Sequence, residues 1–487
     1  MSFVERLRGV VRPSGGSAAL VHPCSPDPLD VRRLGSPDGR SSTDVRRPGS
    51  TDGLSPTSVD PAIWDAVAET LDGEWRESSG QRYLVIERTY PPGHRHGHIV
   101  VADAAPERDG CWPSLSLLDP AISRTRLLFV DLETTGIAGG AGTYAFLVGC
   151  GWFDSGTFRV RQFLLARYGS ERGLLEDVAA TAADAGALVT YNGKTFDLPL
   201  IETRFLFHRM TVPFGAMPHV DLLHAARRLW RATEPGPATS QTPPSVRQPG
   251  SPMCRYRVSS PGPATLPRAT CSLGAVEQSV LGHVREDDVP GYGIPSRYFE
   301  YVRSSDARPL VAVLEHNRLD LLSLALLTAR AAQLFHEGAD AARTAREAFG
   351  LGCLYQRGGL LTEARACFAR ASSMDTMDPC TSAEALRAYA LLSRRARRYD
   401  EAATAWRRIL RLPVCQPRLM QEASEALAVH HEHREENLQL ARDLARQSLQ
   451  FTTSSSRAEA VQYRLTRLDR KLAGPWHTPR QRAVSLF

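Results

Sequence analysis

Two acidic residues stand close together near the first strongly apolar segment of the chain. Asp131 and Glu133 belong to LLFVDLE, residues 127–133, and alternate side chains of a strand point to the same face. Two neighbouring acids at the end of a buried strand repel each other and lose hydration, so a cation must offset their charge. Because both groups are hard oxygen ligands, this pair favours Mg²⁺ or Mn²⁺ over zinc.

A third acid, Asp197, lies in the segment YNGKTFDLPL, residues 191–200. A short strand ends before a polar turn, and we expect Phe196 to anchor that turn in the core. One interpretation makes Asp197 a metal ligand, and the other makes it the cap of a helix opening at Leu198 and Pro199. The two roles are compatible.

A fourth acid, Asp320, interrupts the segment EHNRLDLLSLALLTA, residues 315–329. This helix is apolar almost all round, so we expect it to be buried and its aspartate to need a partner. His316 lies one turn earlier on the same face. The pair is either a structural hydrogen bond or part of a catalytic site.

Four acids in three motifs are more specific than any one of them. Hydrolases that use two metal ions hold them about 3.5–4 Å apart with a few carboxylates, on either side of one phosphodiester. A histidine beside such a site can orient or deprotonate the attacking water, because its pKa lies near neutrality.

Polar residues beside these motifs are the expected substrate contacts. Thr134 and Thr135 follow the strand at the end where a substrate can approach the backbone, and the second motif contributes Asn192 and Lys194. Lys194 is one of only two lysines in an arginine-rich chain. Its retention is mild support for a position that needs an ammonium group.

The motifs DLETTG, YNGKTFD and H-x-x-x-D resemble those of the DEDD exonucleases. The longer segment LLFVDLETTGIAGGAGTYAFLVG is similar to the YprB-type branch. The resemblance covers about residues 124–336 and extends weakly upstream and into the C-terminal region. It implies a ribonuclease H-like fold and 3′→5′ hydrolysis of single-stranded DNA or RNA with two Mg²⁺ or Mn²⁺ ions. The implied metal ligands are Asp131, Glu133, Asp197 and Asp320, with His316 as general base.

The chain departs from this family at its last motif. In the histidine subclass the separation from His to Asp is usually five positions, whereas here His316 stands four before Asp320, as the tyrosine of the other subclass does. The resemblance also extends to HVDLLHAARRLW, residues 219–230. Its Asp221 is expected to support the site and not to bind metal.

The elements that must position these residues alternate between strands and helices. Three strands are predicted at 127–132, 145–152 and 157–165, then a helix at 171–185, a strand at 187–191 and a helix at 199–209. This order predicts an α/β layer. The resemblance implies that the layer is an α/β ribonuclease H-like domain with a mixed central sheet flanked by helices. An all-α tetratricopeptide-like domain is expected to follow it.

Composition divides the chain into four parts. Residues 1–60 are rich in Ser, Pro, Gly, Asp and Arg and are predicted to be disordered. Residues 61–115 are predicted to form a small α+β extension, and residues 116–336 the ribonuclease H-like domain, with a Pro- and Ser-rich insertion at 235–268. Residues 337–487 are predicted to be tetratricopeptide-like repeats, with a generic helical bundle as the alternative.

The repeat prediction depends on small and aromatic residues at tetratricopeptide offsets. These are Gly352, Tyr355, Ala364, Phe368 and Ala371, a second Ala–aromatic pair at Ala402 and Trp406, and a third, degenerate unit at Ala441 and Ala445. Such repeats typically expose a surface for a protein partner.

Charge and cysteine content limit the possible partners and compartment. The 487 residues carry a net charge of +6, which is compatible with a polyanionic partner. Eight arginines between Leu386 and Leu412 either contact phosphates or form an ordinary solvated helix face. Nine scattered cysteines without a C-x-x-C pair predict reduced thiols and a cytoplasmic protein, and no apolar segment predicts a secretory signal or a membrane helix.

One further set of possible ligands is His94, His96 and His98, which would share a strand face. Because no fourth ligand is visible nearby, a polar strand face is the better interpretation than a metal site.

Two functions from different classes remain. The first is a metal-dependent nuclease. The second is a catalytically weak nucleic-acid-binding adaptor whose helical repeats recruit a protein partner. Uptake of Mn²⁺ distinguishes them, because an adaptor gains nothing from keeping four acids together.

Overall fold

The computed structural model describes most of the chain from residue 61 onward. The described residues are 61–106, 112–118, 122, 126–136, 142–231, 271–374, 379–413, 415–452 and 454–474. The predicted disordered segment 1–60 and the predicted insertion 235–268 therefore lie outside the described residues.

Strands dominate the first part of the described chain, and helices the second. The strands are β1 (Glu74–Ser78), β2 (Gln81–Tyr90), β3 (Arg95–His96), β4 (Ile99–Val100), β5 (Leu127–Thr134), β6 (Ala145–Asp154), β7 (Thr157–Leu164), β8 (Ala187–Thr190) and β9 (His219–Asp221). The helices up to residue 337 are α1 (Pro61–Leu71), α2 (Val101–Ala104), α3 (Glu171–Ala182), α4 (Asp197–Phe207), α5 (Leu222–Leu229), α6 (Leu273–Val276), α7 (Ile294–Ser304) and α8 (Arg308–Glu337). A π-helical turn, Glu277–Leu281, continues α6.

Seven strands form one mixed sheet in the order β1-β2-β7-β6-β5-β8-β9. The strands β5, β8 and β9 are parallel to one another, whereas the pairs β1–β2, β2–β7, β7–β6 and β6–β5 are antiparallel. The predicted fold class, a mixed sheet with helices followed by a helical region, is confirmed.

The sheet extends across position 116, where the sequence predicted a domain boundary. Strands β1 and β2 precede that position and pair into the same sheet. Strand β1 was not predicted, because its sequence EWRES is mostly charged and polar and shows no apolar alternation. The division into domains stays a prediction.

The central strand β5 explains how one apolar segment supports both faces of the sheet. Leu127 and Phe129 belong to one hydrophobic core, whereas Leu128 and Val130 belong to the core on the opposite face. A strand buried on both faces must be apolar at successive positions, as β5 is until Asp131.

Helix α8 is long enough to pack against both the sheet and the C-terminal helices. Its Leu310 and Val313 pack in one core with β6 and β7, and its Leu326 and Phe335 pack in the other core with the first C-terminal helices. Because this helix crosses the sheet and continues into the helical region, it ties the two together.

The C-terminal helices form successive antiparallel pairs. They are α9 (Ala345–Arg357), α10 (Leu361–Ser373), α11 (Pro379–Arg395), α12 (Tyr399–Leu410), α13 (Pro417–His433), α14 (Leu438–Leu449) and α15 (Ser455–Ala473). Within the first pair, Gly352 packs against the ring of Phe368 so closely that an added Cβ would overlap it. No helix in the described part of the chain has the length and hydropathy needed to cross a bilayer.

Candidate active site

The paired acids lie near the end of the central strand. A register shift between Glu133 and Thr134 breaks the regular pairing of β5 with β6 just after the second acid. Bulges of this kind bend a strand and redirect the side chains beside an active site. The charges of Asp320 and Asp197 act on both Asp131 and Glu133, which shows that the four carboxylates share one location.

The loop after β8 brings Asp197 to this location. Asp221, at the end of β9, accepts hydrogen bonds from the backbone N–H groups of Asn192 at 2.8 Å and of Lys194 at 3.2 Å. Asn192 adopts a left-handed conformation with φ of 68°, so the turn depends on these two bonds. The supporting role expected of Asp221 agrees with these contacts.

Asp197 itself begins α4, but no capping bond from its side chain is present among the described contacts. The residue at the cap position is Phe196, which caps nothing with its side chain. Phe196 is also 53% exposed, so the expectation that it anchors the loop in the core is wrong. The loop is held by Asp221 instead.

Asp320 has a different main partner from the one its sequence neighbourhood indicated. The guanidinium of Arg285 donates to its Oδ1 at 2.5 Å, whereas His316 Nε2 lies 3.6 Å from its Oδ2. The ring of His316 is instead held from its other side, where Nδ1 lies 2.6 Å from Asp288 Oδ1. Thus His316 lies between the carboxylates of Asp288 and Asp320.

A buried amide connects the long helix to the central strand. Asn317 Nδ2 donates to Asp131 Oδ2 at 2.8 Å, and Gln162 donates to Asn317 Oδ1 at 2.8 Å. Helix α8 approaches the sheet so closely here that a Cβ on Gly149 would overlap the Asn317 side chain. Gly149 is therefore required at this position of β6, opposite Asp131.

The four acids, which we call the acidic site, carry more negative charge than their protein partners neutralise. Burial, and then the charges of neighbouring acids, raise the pKa of Asp131 and of Glu133 well above the usual range. Burial, Asp221 and Asp320 raise the pKa of Asp197 to about 7. Burial also raises the pKa of Asp320, although Arg285 and His316 oppose the shift.

The residues expected to contact substrate are only partly free to do so. Thr134 Oγ1 donates to the Gly136 carbonyl at 3.0 Å, and Thr135 Oγ1 accepts from the Tyr144 N–H at 3.0 Å. Both hydroxyls thus stabilise the turn after β5. Lys194 is exposed beside the acidic site.

Three residues of the site were missed from the sequence: Arg285, Asp288 and Asn317. The charged run REDD, residues 285–288, was the available signal for the first two, but it lies far from every recognised motif. Asn317 sits inside the third motif and could have been found from its polarity within an apolar helix. It is fully buried.

A second polar cluster lies next to the site. His96, Glu277 and His283 have potential ligand atoms within 4.8 Å of one another, and the rings of the two histidines stack. Glu277 also binds the Nε of Arg285 at 2.7 Å. The three alternating histidines do not act together, because His94 packs against Tyr90 and His98 contacts Arg343.

Among the described ion pairs, three of the eight arginines in the arginine-rich run of the helical region bind acids. Arg387 binds Glu422 at 2.7 Å, and Arg398 binds Glu401 at 2.9 Å. Arg407 likewise binds Glu435, at 2.8 Å. At these three positions the contacts favour the interpretation as an ordinary helix face.

Comparisons with known proteins agree with this architecture. A family model described as the RNase_H superfamily matches residues 128–236 and 258–332. The chain is also 30% identical over 398 residues to the uncharacterized protein YprB of Bacillus subtilis (strain 168), which covers 80% of this chain and 86% of that protein. The chain therefore belongs to the YprB family within the RNase_H superfamily.

Proposed function

We propose that this member of the RNase_H superfamily is a metal-dependent DEDD-type exonuclease that hydrolyses single-stranded DNA or RNA from the 3′ end. The observation that carries the proposal is the acidic site, where four buried or half-buried carboxylates meet with one guanidinium bonded to them among the described residues. Such an excess of negative charge lowers stability unless cations bind.

The chemistry of the donor set fits divalent ions that prefer oxygen. Asp131, Glu133, Asp197 and Asp320 would hold two Mg²⁺ or Mn²⁺ ions. When bound, such ions lower the pKa of a coordinated water and stabilise the leaving oxygen of the phosphodiester. Asn317 would keep the Asp131 carboxylate oriented, and Arg285 would do so for Asp320.

His316 is proposed as the general base. With its Nδ1 proton donated to Asp288, the Nε2 atom on the side of Asp320 is free to take a proton. The negative charge of Asp288 would stabilise the resulting imidazolium.

Polar groups around the acidic site would position the strand. Lys194 is exposed and can reach a phosphate, while Thr134 and Thr135 would shape the turn after β5 that faces the strand. Asn192 would act through the shape of its loop, which Asp221 fixes.

The helical region is proposed to consist of tetratricopeptide-like repeats that offer a surface to a protein partner. Its antiparallel helix pairs support this, as does the burial of Ala364, Phe368, Ala402, Trp406 and Ala441 at the expected offsets. The final helix α15 would then close the stack.

End-labelled single strands of DNA and RNA test the nuclease proposal directly. We expect the wild-type protein with Mn²⁺ to shorten both or one of them from the 3′ end, and Asp131→Ala/Glu133→Ala to leave them intact. The variant Asp154→Asn, which alters an exposed carboxylate in the β6–β7 turn, serves as the control. Equal shortening by the wild type and the double variant would falsify the proposal.

The same two proteins distinguish the nuclease from the alternative, a catalytically weak adaptor. Calorimetry should show Mn²⁺ uptake by the wild type and its loss in Asp131→Ala/Glu133→Ala. An adaptor would bind nucleic acid well without taking up Mn²⁺.

The general base has its own test. We expect His316→Gln to lower kcat about 10²-fold with little change in Mn²⁺ affinity, because the carboxylates remain. An unchanged kcat would assign His316 a structural role.

A further inference from the structure

A cavity of about 610 Å³ opens between α5 and α9. Arg227 and Arg228 line it from α5, and Arg346 and Arg357 line it from α9. No Asp or Glu is among the described residues that line it. We call this space the arginine cavity.

The two helices that form the arginine cavity are held in fixed positions. Gly350 of α9 lies so close to the carbonyl of Arg228 that an added Cβ would overlap the backbone. Beside it, Trp230 Nε1 donates to Glu347 Oε1 at 2.9 Å, and Glu347 also binds Arg330 at 2.8 Å. The cavity is therefore preformed by the junction between the sheet region and the helical region.

Positive charge is concentrated in the arginine cavity. Within the described ranges, no carboxylate forms an ion pair with Arg227, Arg228 or Arg357, whereas Arg387, Arg398 and Arg407 each bind a glutamate. Burial lowers the pKa of Arg228, and the charge of Arg357 lowers it further. Guanidinium groups that converge in this way repel one another until an anion binds.

We infer that the arginine cavity binds phosphate groups of the nucleic acid strand whose 3′ end enters the acidic site. Guanidinium groups match phosphate oxygens with two parallel hydrogen bonds, and several of them on one concave surface fit a chain of phosphates. This inference rests on the proposed function, to which it adds a second contact region for the substrate.

Helix α5 connects the arginine cavity to the acidic site. It begins directly after Asp221, which holds the loop of Asn192 and Lys194, and a rise of 1.5 Å per residue places Arg228 about 10 Å further along. The charge of Arg227 also reaches Tyr191, the first residue of that loop. A strand of a few nucleotides is long enough to occupy both places.

Binding of a labelled oligonucleotide in metal-free buffer tests the inference. The probe is a single strand of about 12 nucleotides, within the span that single-strand grooves cover. The test variant is Arg227→Gln/Arg357→Gln, which alters two exposed arginines, one on each helix. The matched control is Arg394→Gln/Arg395→Gln, which removes the same charge from exposed positions on α11.

Salt dependence gives the expected size of the effect. Each phosphate contact contributes roughly 0.7 to the slope of log affinity against log salt for single strands. The test variant should therefore bind about 25-fold more weakly at 0.1 M salt, with a slope reduced by about 1.4, while the control binds nearly as the wild type does. Equal affinity and slope in the test variant and the wild type would overturn the inference.

A minimal substrate separates this inference from the nuclease proposal. The p-nitrophenyl ester of thymidine monophosphate is too short to reach the arginine cavity, so the test variant should hydrolyse it at the wild-type rate with Mn²⁺. If the wild type with Mn²⁺ leaves labelled single strands intact but the test variant still loses oligonucleotide affinity, the nuclease proposal fails and the binding site stands. If instead the substitutions abolish binding of pyrophosphate but not of the oligonucleotide, the cavity takes a small anion and the inference is overturned.

Discussion

Two regions of this molecule bury acidic side chains in opposite ways. In the acidic site, four carboxylates repel one another, and the pKa values of all four are raised. In the helical region, Glu432 is fully buried, yet it binds Arg464 at 2.9 Å, Arg467 at 2.6 Å and Lys471 at 2.8 Å. Burial alone would raise the pKa of Glu432, but the hydrogen bonds from Lys471 and Arg467 hold it below the usual value.

The comparison indicates that the buried charge of Glu432 stabilises the fold, whereas the buried charge of the acidic site is suited to binding a ligand. The Glu432 cluster, which consists of Glu432 and its three cations, is balanced within the protein and joins α13 to α15. The acidic site is unbalanced, so it lowers the stability of the metal-free protein.

The largest effect is expected in the acidic site. Asp131→Asn should lower nuclease activity by at least about 10³-fold, because an amide is a poor replacement for a charged metal ligand. The same change should raise the melting temperature of the metal-free protein, since it removes one of four repelling charges. Activity is measured on labelled single strands and stability by calorimetry, with Asp154→Asn as the control. A lower melting temperature in Asp131→Asn would break the comparison.

The next largest effect, on the free energy of unfolding, is expected where α8 approaches the sheet most closely. Gly149→Ala should cost about 3 kcal/mol of unfolding free energy, at the upper end for an overpacked site, because the added methyl overlaps Asn317. Urea unfolding measures the change. The control is Gly274→Ala, where an added Cβ has no neighbour within 4 Å. If both variants unfold alike, α8 has room to move and Asn317 does not fix Asp131.

Removing the charge of Glu432 should lower stability, whereas removing a charge from the acidic site should raise it. Glu432→Gln should cost about 2 kcal/mol, less than a fully buried ion pair, because the three cations are partly exposed. Urea unfolding again provides the measurement, and Glu459→Gln on α15 is the exposed control. If Glu432→Gln stabilises the protein, the buried acid of the helical region lowers stability just as those of the acidic site do, and the contrast between the two regions is wrong.

The smallest effect is on the pH dependence of stability. The pKa of Asp197, about 7, lies above its ordinary value, so its contribution to stability is complete below about pH 4 and is lost as the pH rises through 7. Glu432 has a lowered pKa, so its contribution to stability is complete when the pH is above the ordinary pKa of glutamate. This contribution is lost as the pH falls through the lowered pKa.

We therefore expect the melting temperature of the metal-free protein to fall by a few degrees relative to Asp197→Asn between about pH 5 and pH 8. Saturating Mn²⁺ should remove the difference in slope, because bound ions stabilise the ionised form. Parallel curves for the wild type and Asp197→Asn in metal-free buffer would contradict the raised pKa.

Local sequence patterns were sufficient to predict structural features that depend on a single segment of the chain. The apolar run of β5 predicted a strand buried on both faces, and the structure contains it as Leu127–Thr134. The polar turn after β8 was also predicted, but not what holds it. Phe196 was expected to anchor this turn because it is large and apolar, whereas two backbone bonds to Asp221 do so. A bond between segments that are 29 residues apart leaves no local pattern.

The sequence by itself predicted an α/β layer followed by a helical region, and it singled out the acidic residues of three motifs, while the mixed sheet followed from the family resemblance. Periodicity and residue chemistry act over a few positions, so they can be read along the chain. Only the tertiary structure decided that Arg285 holds Asp320, that Asp288 holds His316, and that four arginines from two helices face one cavity. These partners are distant in sequence, and their energies depend on burial and on charges that only folding brings together.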